Sequence, residues 1–395
     1  MRRSLWIAFF AALLGCRVVL AGAVGQEPAA SGEPAPGEEP EAVEQAAQPE
    51  LSPEMVTLRD SVRRALALVA KQPLTTRDNT PDEVIQFCLA FGCRTSVGYG
   101  SPSGKKVSGI GCLCWNYPCA GYRLLRVTND RVLARIGYGL QAHPAQFLAV
   151  LAQSEVPADY EIRADEFQGT VADLVESEKL NCQSGTDLSC ALIGLDHYLK
   201  DEQTWENELG EEWSVERLIR EELARSPSLS ESDAIDRLMG LSYAVAQRNR
   251  RELPLEGEFL RAEQYVGELQ DYAFGLQNSD GSWHPSFFAR KGTSRDATGT
   301  LQSTGRILEW LVFSLSDDRL HDPRVIRSVS YVAKLLGGQS SGWNVASMST
   351  RDLGAVMHAA HALSIYDRRI FEPAAPEEAD GEKGEAVTYR STTPE

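Results

Sequence analysis

From His143 and Pro144 to about Glu372, apolar residues recur at helical spacing in one segment after another, and only short polar connectors intervene. Such a run of amphipathic helices leaves each apolar face uncovered until a neighbour packs on it. The pattern predicts helices over 144–153, 170–180, 187–200, 215–224, 231–247, 257–276, 301–315, 323–336 and 352–366. Consecutive helices with short connectors pair as hairpins, and hairpins of this length bury their faces by stacking in a solenoid or a closed ring. The expected class is mainly α.

Two further helices precede this region. Ser52, Pro53 and Glu54 supply a capping hydroxyl, a proline at the first helical position and an acid in the first turn, which starts a helix running to about Lys71. Thr80, Pro81, Asp82 and Glu83 repeat that start signal for a second helix through Phe91. The stretch 92–121 is rich in Gly, Ser and Cys and reads as a loop module. Segments 122–127 and 131–136 flank Thr128, Asn129 and Asp130 as one β-hairpin, the only strong strand signal in the chain.

The ends differ in composition from this body. Met1, Arg2 and Arg3 form a basic head before an apolar run from Leu5 to Leu14, the pattern of a secretory signal. Ala21, Gly22 and Ala23 suit ordinary cleavage, whereas Leu13-Leu14-Gly15-Cys16 resembles a lipoprotein box that would acylate Cys16 and tether the chain to a membrane. Residues 24–51 are acidic and proline-rich, with too little apolar surface to offset ordering, and 373–395 repeat the pattern. The expected organisation is therefore a signal over 1–23 (or to 15), a spacer over 24–51, a helical and cysteine-rich module with a hairpin over 52–139, a helical domain over 140–372, and a tail. The expected location is extracytoplasmic, periplasmic or secreted.

With 39 basic against 56 acidic side chains, the net charge is −17. A field of that sign repels nucleic acid, and no basic stripe offsets it. Of the eight cysteines, Cys88, Cys93, Cys112, Cys114 and Cys119 crowd one stretch, and Cys182 and Cys190 follow. In an oxidising compartment these seven are disulfide candidates, one of them left over, with a connectivity that spacing does not give. A zinc site is the weaker reading, since Cys112 and Cys114 lack knuckle spacing and no histidine joins them.

Gln277, Gly281 and Trp283 follow an aromatic helix end, and Gly342 and Trp343 form a shorter copy after the next hairpin. The first segment resembles the QW repeat of squalene and hopene cyclases, relatives of the protein prenyltransferases. The resemblance implies an α/α-toroid fold, with the glutamine tying a helix end and the tryptophan covering the turn. It does not extend to activity. The cyclases' acidic cluster is missing, Asp317-Asp318 being an isolated pair, and no cysteine after Cys190 is present to hold a prenyltransferase-type zinc.

Candidate chemistry therefore rests on single residues. His358 and His361 share a helical face and could hold a metal with Asp352, or merely line a helix interface. His284, Arg295, Asp296, Arg306 and Glu309 lie on or after the longest turn and could supply an acid and its electrostatic partner, or only caps and braces. His143, Gln146, Thr170, Glu176, Glu178 and His197 make a conceivable second pocket. No cofactor or metal is called for, and no hydrolase elbow or nucleotide-binding loop is present. Two functions compete: a non-catalytic exported binding or scaffold protein with an unknown ligand or protein partner, and an extracytoplasmic enzyme on a terpenoid or carbohydrate polymer. Convergence of Asp296, Glu309, His358 and His361 in one cavity would favour the enzyme.

Overall fold

The computed structural model describes residues 51–199, 203–225, 233–338 and 350–372. The leader, spacer and tail, Cys16, and Gly342 with Trp343 lie outside the described residues. The protein is mainly helical. In chain order its elements are α1 (Pro53–Ala70), β1 (Leu74–Thr75), α2 (Pro81–Phe91), β2 (Ser96–Gly98), β3 (Lys106–Ser108), α3 (Gly109–Cys114), β4 (Leu125–Thr128), β5 (Arg131–Ala134), α4 (Gln146–Gln153), β6 (Glu161–Ala164), β7 (Phe167–Thr170), α5 (Val171–Leu180) and α6 (Ser189–Tyr198). There follow β8 (Trp205–Glu206), β9 (Glu212–Trp213), α7 (Val215–Ala224), α8 (Asp233–Arg250), α9 (Gly257–Leu276), α10 (Ala297–Ser314), α11 (Asp317–Leu320), α12 (Pro323–Gly337) and α13 (Thr350–Ile370).

Local chemistry sets the helix starts. Ser52 accepts from Met55 N, and Thr80 and Glu83 form a reciprocal capping box at α2. Packing then sorts the helices into two groups. The series α2, α4, α6, α8, α10 and α13 packs each on the next, and α13 returns to α2. Of the other helices, α1 packs on α12, α7 on α9, and α5 and α7 on α6. Sequence reflects the division. In α10 nearly every residue from Gly299 to Val312 is buried, as in a helix covered on all sides, whereas α12 buries only a stripe through Val325, Ser328, Val329, Val332, Ala333 and Leu336.

The tryptophan turn ties α9, α10 and α12 together. Trp283 is fully buried, and its Nε1 donates to the carbonyl of Ala273 at 2.7 Å, one of the last four carbonyls of α9 that the helix itself leaves unpaired. Gln277 Nε2 donates to Arg324 O at 2.9 Å and to Ser328 Oγ at 2.7 Å in the first turns of α12. Gly281 has φ +96°, and a Cβ there would stand 2.6 Å from the Arg327 carbonyl, so the turn meets α12 backbone to backbone.

Two expectations need correction. A single hairpin was expected, but the described residues hold four small sheets: β1-β2-β3, with β1 parallel and β3 antiparallel to β2, and the antiparallel pairs β4-β5, β6-β7 and β8-β9. Strands of two to four residues are too short to show alternation, and tertiary packing selects them. The stretch 92–121 is also more than a cross-linked loop, because α3 lies within it and buries Ile110, Leu113, Cys112 and Cys114. The structure shows the seven described cysteines as thiols, and Cys88, Cys112, Cys114, Cys119 and Cys182 are buried in the core.

Candidate functional site

Residues of α2, α4, α6, α8, α10 and α13 line a cavity of about 260 Å³. Each helix contributes: Asp82 and Gln86 from α2, Gln146 from α4, Cys190 from α6, Asp236 from α8, Gln302, Arg306 and Glu309 from α10, and His358 from α13, with His143 just before α4. A close approach of α10 and α13 builds one wall. A Cβ on Gly305 would lie 2.9 Å from that of Ala359, so the absence of a side chain at 305 lets the two helices touch one turn from their polar residues.

That approach places the Glu309 carboxyl between two imidazoles. Oε2 is 2.7 Å from His358 Nδ1 and Oε1 is 2.6 Å from His361 Nδ1, with all three side chains largely buried. Burial opposes ionisation of Glu309, but the adjoining His358 and His361 outweigh it and hold the carboxyl well below the usual carboxylate range. Arg306 Nη1 lies 3.2 Å from His358 Nε2. Guanidinium only donates, so Nε2 accepts and the His358 proton sits on Nδ1, facing Glu309. The Arg306 Nη2 also donates to Asp236 Oδ1.

On the facing wall, His143 Nδ1 is 3.3 Å from Asp187 Oδ2 and its Nε2 is 3.8 Å from Asp236 Oδ2. The hydrogen bond to Asp187 raises the His143 pKa against the opposing effect of burial. Asp82 stands apart: desolvation raises its pKa from 3.8 to about 6, with Gln86, His358 and His143 opposing the rise and Glu83 adding to it. Four buried polar atoms of this cavity have no hydrogen-bond partner in the protein: Asp82 Oδ1, Gln86 Oε1, Asp236 Oδ2 and Arg306 Nε. Buried polar atoms without a protein partner are uncommon in folded chains, and these four line one cavity.

The open charge has a stability cost. Because the folded pKa of Asp82 exceeds its unfolded value, the carboxyl is best tolerated below about pH 4 and disfavours the fold as pH rises through about 6. Asp82→Asn is expected to stabilise the protein at pH 8 by about 3 kcal/mol, a gain that shrinks on acidification and vanishes near pH 4. Denaturant melts of the two proteins across that range check it.

Of the residues singled out from sequence, Arg306, Glu309, His358 and His361 come together. Asp296 does not, since it caps α10 by accepting from Gly299 N at 2.9 Å, and Arg295 is exposed. His284 braces its own turn, accepting from Ser286 N at 3.0 Å and lying 2.6 Å from Arg290 Nη2. Nor does the second pocket assemble: His143 and Gln146 line the cavity, but His197 lies against Tyr243 Oη at 2.8 Å and Glu178 is buried beside Asn181. The histidine pair aims its Nδ1 atoms at Glu309, and among the described residues no cluster of His, Cys, Asp or Glu has metal-binding geometry. Sequence reasoning passed over Asp82, Gln86, Asp236 and Gln302. Both acids sit in a helix's first turn, where an acid is already accounted for by the helix dipole. No protein-family model, curated protein or solved structure matches this chain.

Proposed function

We propose that the chain is an exported acid–base enzyme of the α/α-toroid type, acting on a hydroxyl-rich substrate of the carbohydrate class. The observation that carries this is the split between two carboxyls of one cavity: Asp82, whose pKa is raised to about 6, and Asp236, paired to Arg306. Hydrolysis of an acetal needs such a pair, one acid to protonate the leaving oxygen and one carboxylate to take a proton from water. Asp82 has the first role in this reading and Asp236, with its unpartnered Oδ2 beside His143, the second.

The rest of the lining supports a polar substrate over a terpenoid. Gln86, Gln146, Gln153 and Gln302 offer amides to hydroxyl groups, and among the described residues no Phe, Tyr or Trp lines the cavity to stabilise a carbocation. Six helices packing in a closed series and the Gln277–Trp283 turn support the toroid assignment. The basic head and apolar run at 1–14 support export, and Cys16 supports a lipid tether, which the mass of the mature N-terminus tests.

Aryl glycosides and neutral polysaccharides assayed for released reducing ends provide the test. Turnover is expected on at least one, reduced by about a hundredfold or more in Asp82→Asn although that variant is the more stable at pH 8. Absence of both turnover and ligand-induced stabilisation across the panel, or full activity in Asp82→Asn, overturns the reading.

A further inference from the structure

We propose that Cys112 and Cys119 form a native disulfide, a covalent clasp on the segment that leads into α2. Their sulfurs are 3.6 Å apart, the only sulfur-to-sulfur contact among the described residues, and both side chains are fully buried. The backbone holds them there. Tyr117 N donates to Cys112 O at 3.0 Å, folding the chain back after α3, while Cys119 and Tyr122 exchange bonds of 2.8 and 2.9 Å. Other thiols have carbonyl contacts instead: Cys93 with Ser154 O and Cys182 with Glu178 O, each at 3.5 Å. A disulfide brings its sulfurs to about 2.05 Å.

The chemistry is ordinary thiol–disulfide exchange with an external disulfide oxidant. Taking Cys119 as the first to react, its thiolate is the nucleophile. Its sulfur bonds to one sulfur of the oxidant and expels the other as a thiol. Cys112, losing its proton, then displaces the remaining oxidant thiol and forms the intrachain bond. In sum, two cysteine thiols give up two protons and two electrons, and the oxidant disulfide becomes two thiols. Exchange takes place while the segment is still open, because the finished fold covers both sulfurs.

The clasp bears on the cavity through its neighbour. Ala120 N, beside Cys119, donates to Thr76 O at 2.8 Å, and Thr76 precedes the α2 cap at Thr80 by four residues. Holding 112–119 closed therefore steadies the approach to the helix that carries Asp82 and Gln86. The inference stands on geometry alone and does not depend on the reaction proposed for the cavity.

The full chain, refolded from denaturant with reduced and oxidised glutathione, is unfolded again without reductant and alkylated. Trypsin leaves Cys112, Cys114 and Cys119 on one peptide, because no Lys or Arg lies between Lys106 and Arg123. That peptide is expected to be lighter by two hydrogens and to carry one alkyl group, on Cys114. In Cys114→Ser it should carry none, and in Cys119→Ser it should carry two. Three alkyl groups on the native peptide, or a bond from either cysteine to Cys88 or Cys114, overturns the assignment.

Discussion

Replacing Glu309 by alanine is expected to destabilise the protein by about 3–5 kcal/mol at pH 7, the usual penalty for removing one member of a buried charged network. The substitution leaves the Nδ1 groups of His358 and His361 facing a void, and it deprives Arg306 of a nearby negative charge, so that Asp236 alone answers the guanidinium. Glu309→Gln separates charge from hydrogen bonding. Its carbonyl can accept from His358, whose proton is fixed on Nδ1 by Arg306, and its amide can donate to His361 in the other tautomer. The glutamine variant should therefore lose clearly less than the alanine variant. The pH dependence has a definite sign. The folded pKa of Glu309 lies below the unfolded one, so its contribution is present above about pH 4.3 and declines as pH falls further. Denaturant melts at pH 7 and near pH 3.5 test both statements: a loss under about 1 kcal/mol in Glu309→Ala at pH 7, or a loss that grows on acidification, contradicts the assigned network.

Trp283→Ala should cost a similar amount, about 3–5 kcal/mol, for a different reason. The ring is fully buried between the end of α9 and the start of α10, and the surroundings cannot collapse onto the space because the turn is pinned on both sides. Trp283 N donates to Thr304 Oγ1 at 3.0 Å, Ser303 Oγ donates to Trp283 O at 3.0 Å, and Gln277 holds α12. Trp283→Phe keeps much of the apolar volume but leaves the Ala273 carbonyl uncapped, so it should lie between wild type and alanine, by about 1–3 kcal/mol from wild type. Thermal or denaturant melts of the two variants resolve the packing from the hydrogen bond. An alanine variant of unchanged stability would make the turn a surface feature and remove its structural role.

The helical part of the fold was legible because period and punctuation agree. The segments 215–224 and 257–276 are helices end to end, and the start signals at Ser52 and Thr80 are both occupied caps. Elsewhere the boundaries drifted by a few residues, as at α10, whose N-cap Asp296 lies before the first apolar residue of the pattern. The strands were not legible apart from one hairpin, since two-residue pairs such as Trp205–Glu206 with Glu212–Trp213 carry no periodicity. For the site, the residues of α10 and α13 stood out because histidine and glutamate are conspicuous on otherwise apolar or small-residue faces. Asp82 and Asp236 were hidden by a good alternative explanation. An acid in a first helical turn needs no further cause, and only the packing of six helices shows that these two point into a shared interior.

The contact between α2 and α13 joins residues near opposite ends of the described residues, so the cavity closes only when widely separated parts of the sequence meet. A nascent chain can lay down five of the six walls, with Glu309 and Arg306 already on α10, before the histidines of α13 have been made. Long-range closures of this kind are slow steps in folding. Until that one occurs the polar side chains face water, and any polypeptide interrupted before Thr350 carries the acids and the arginine but no enclosed chamber.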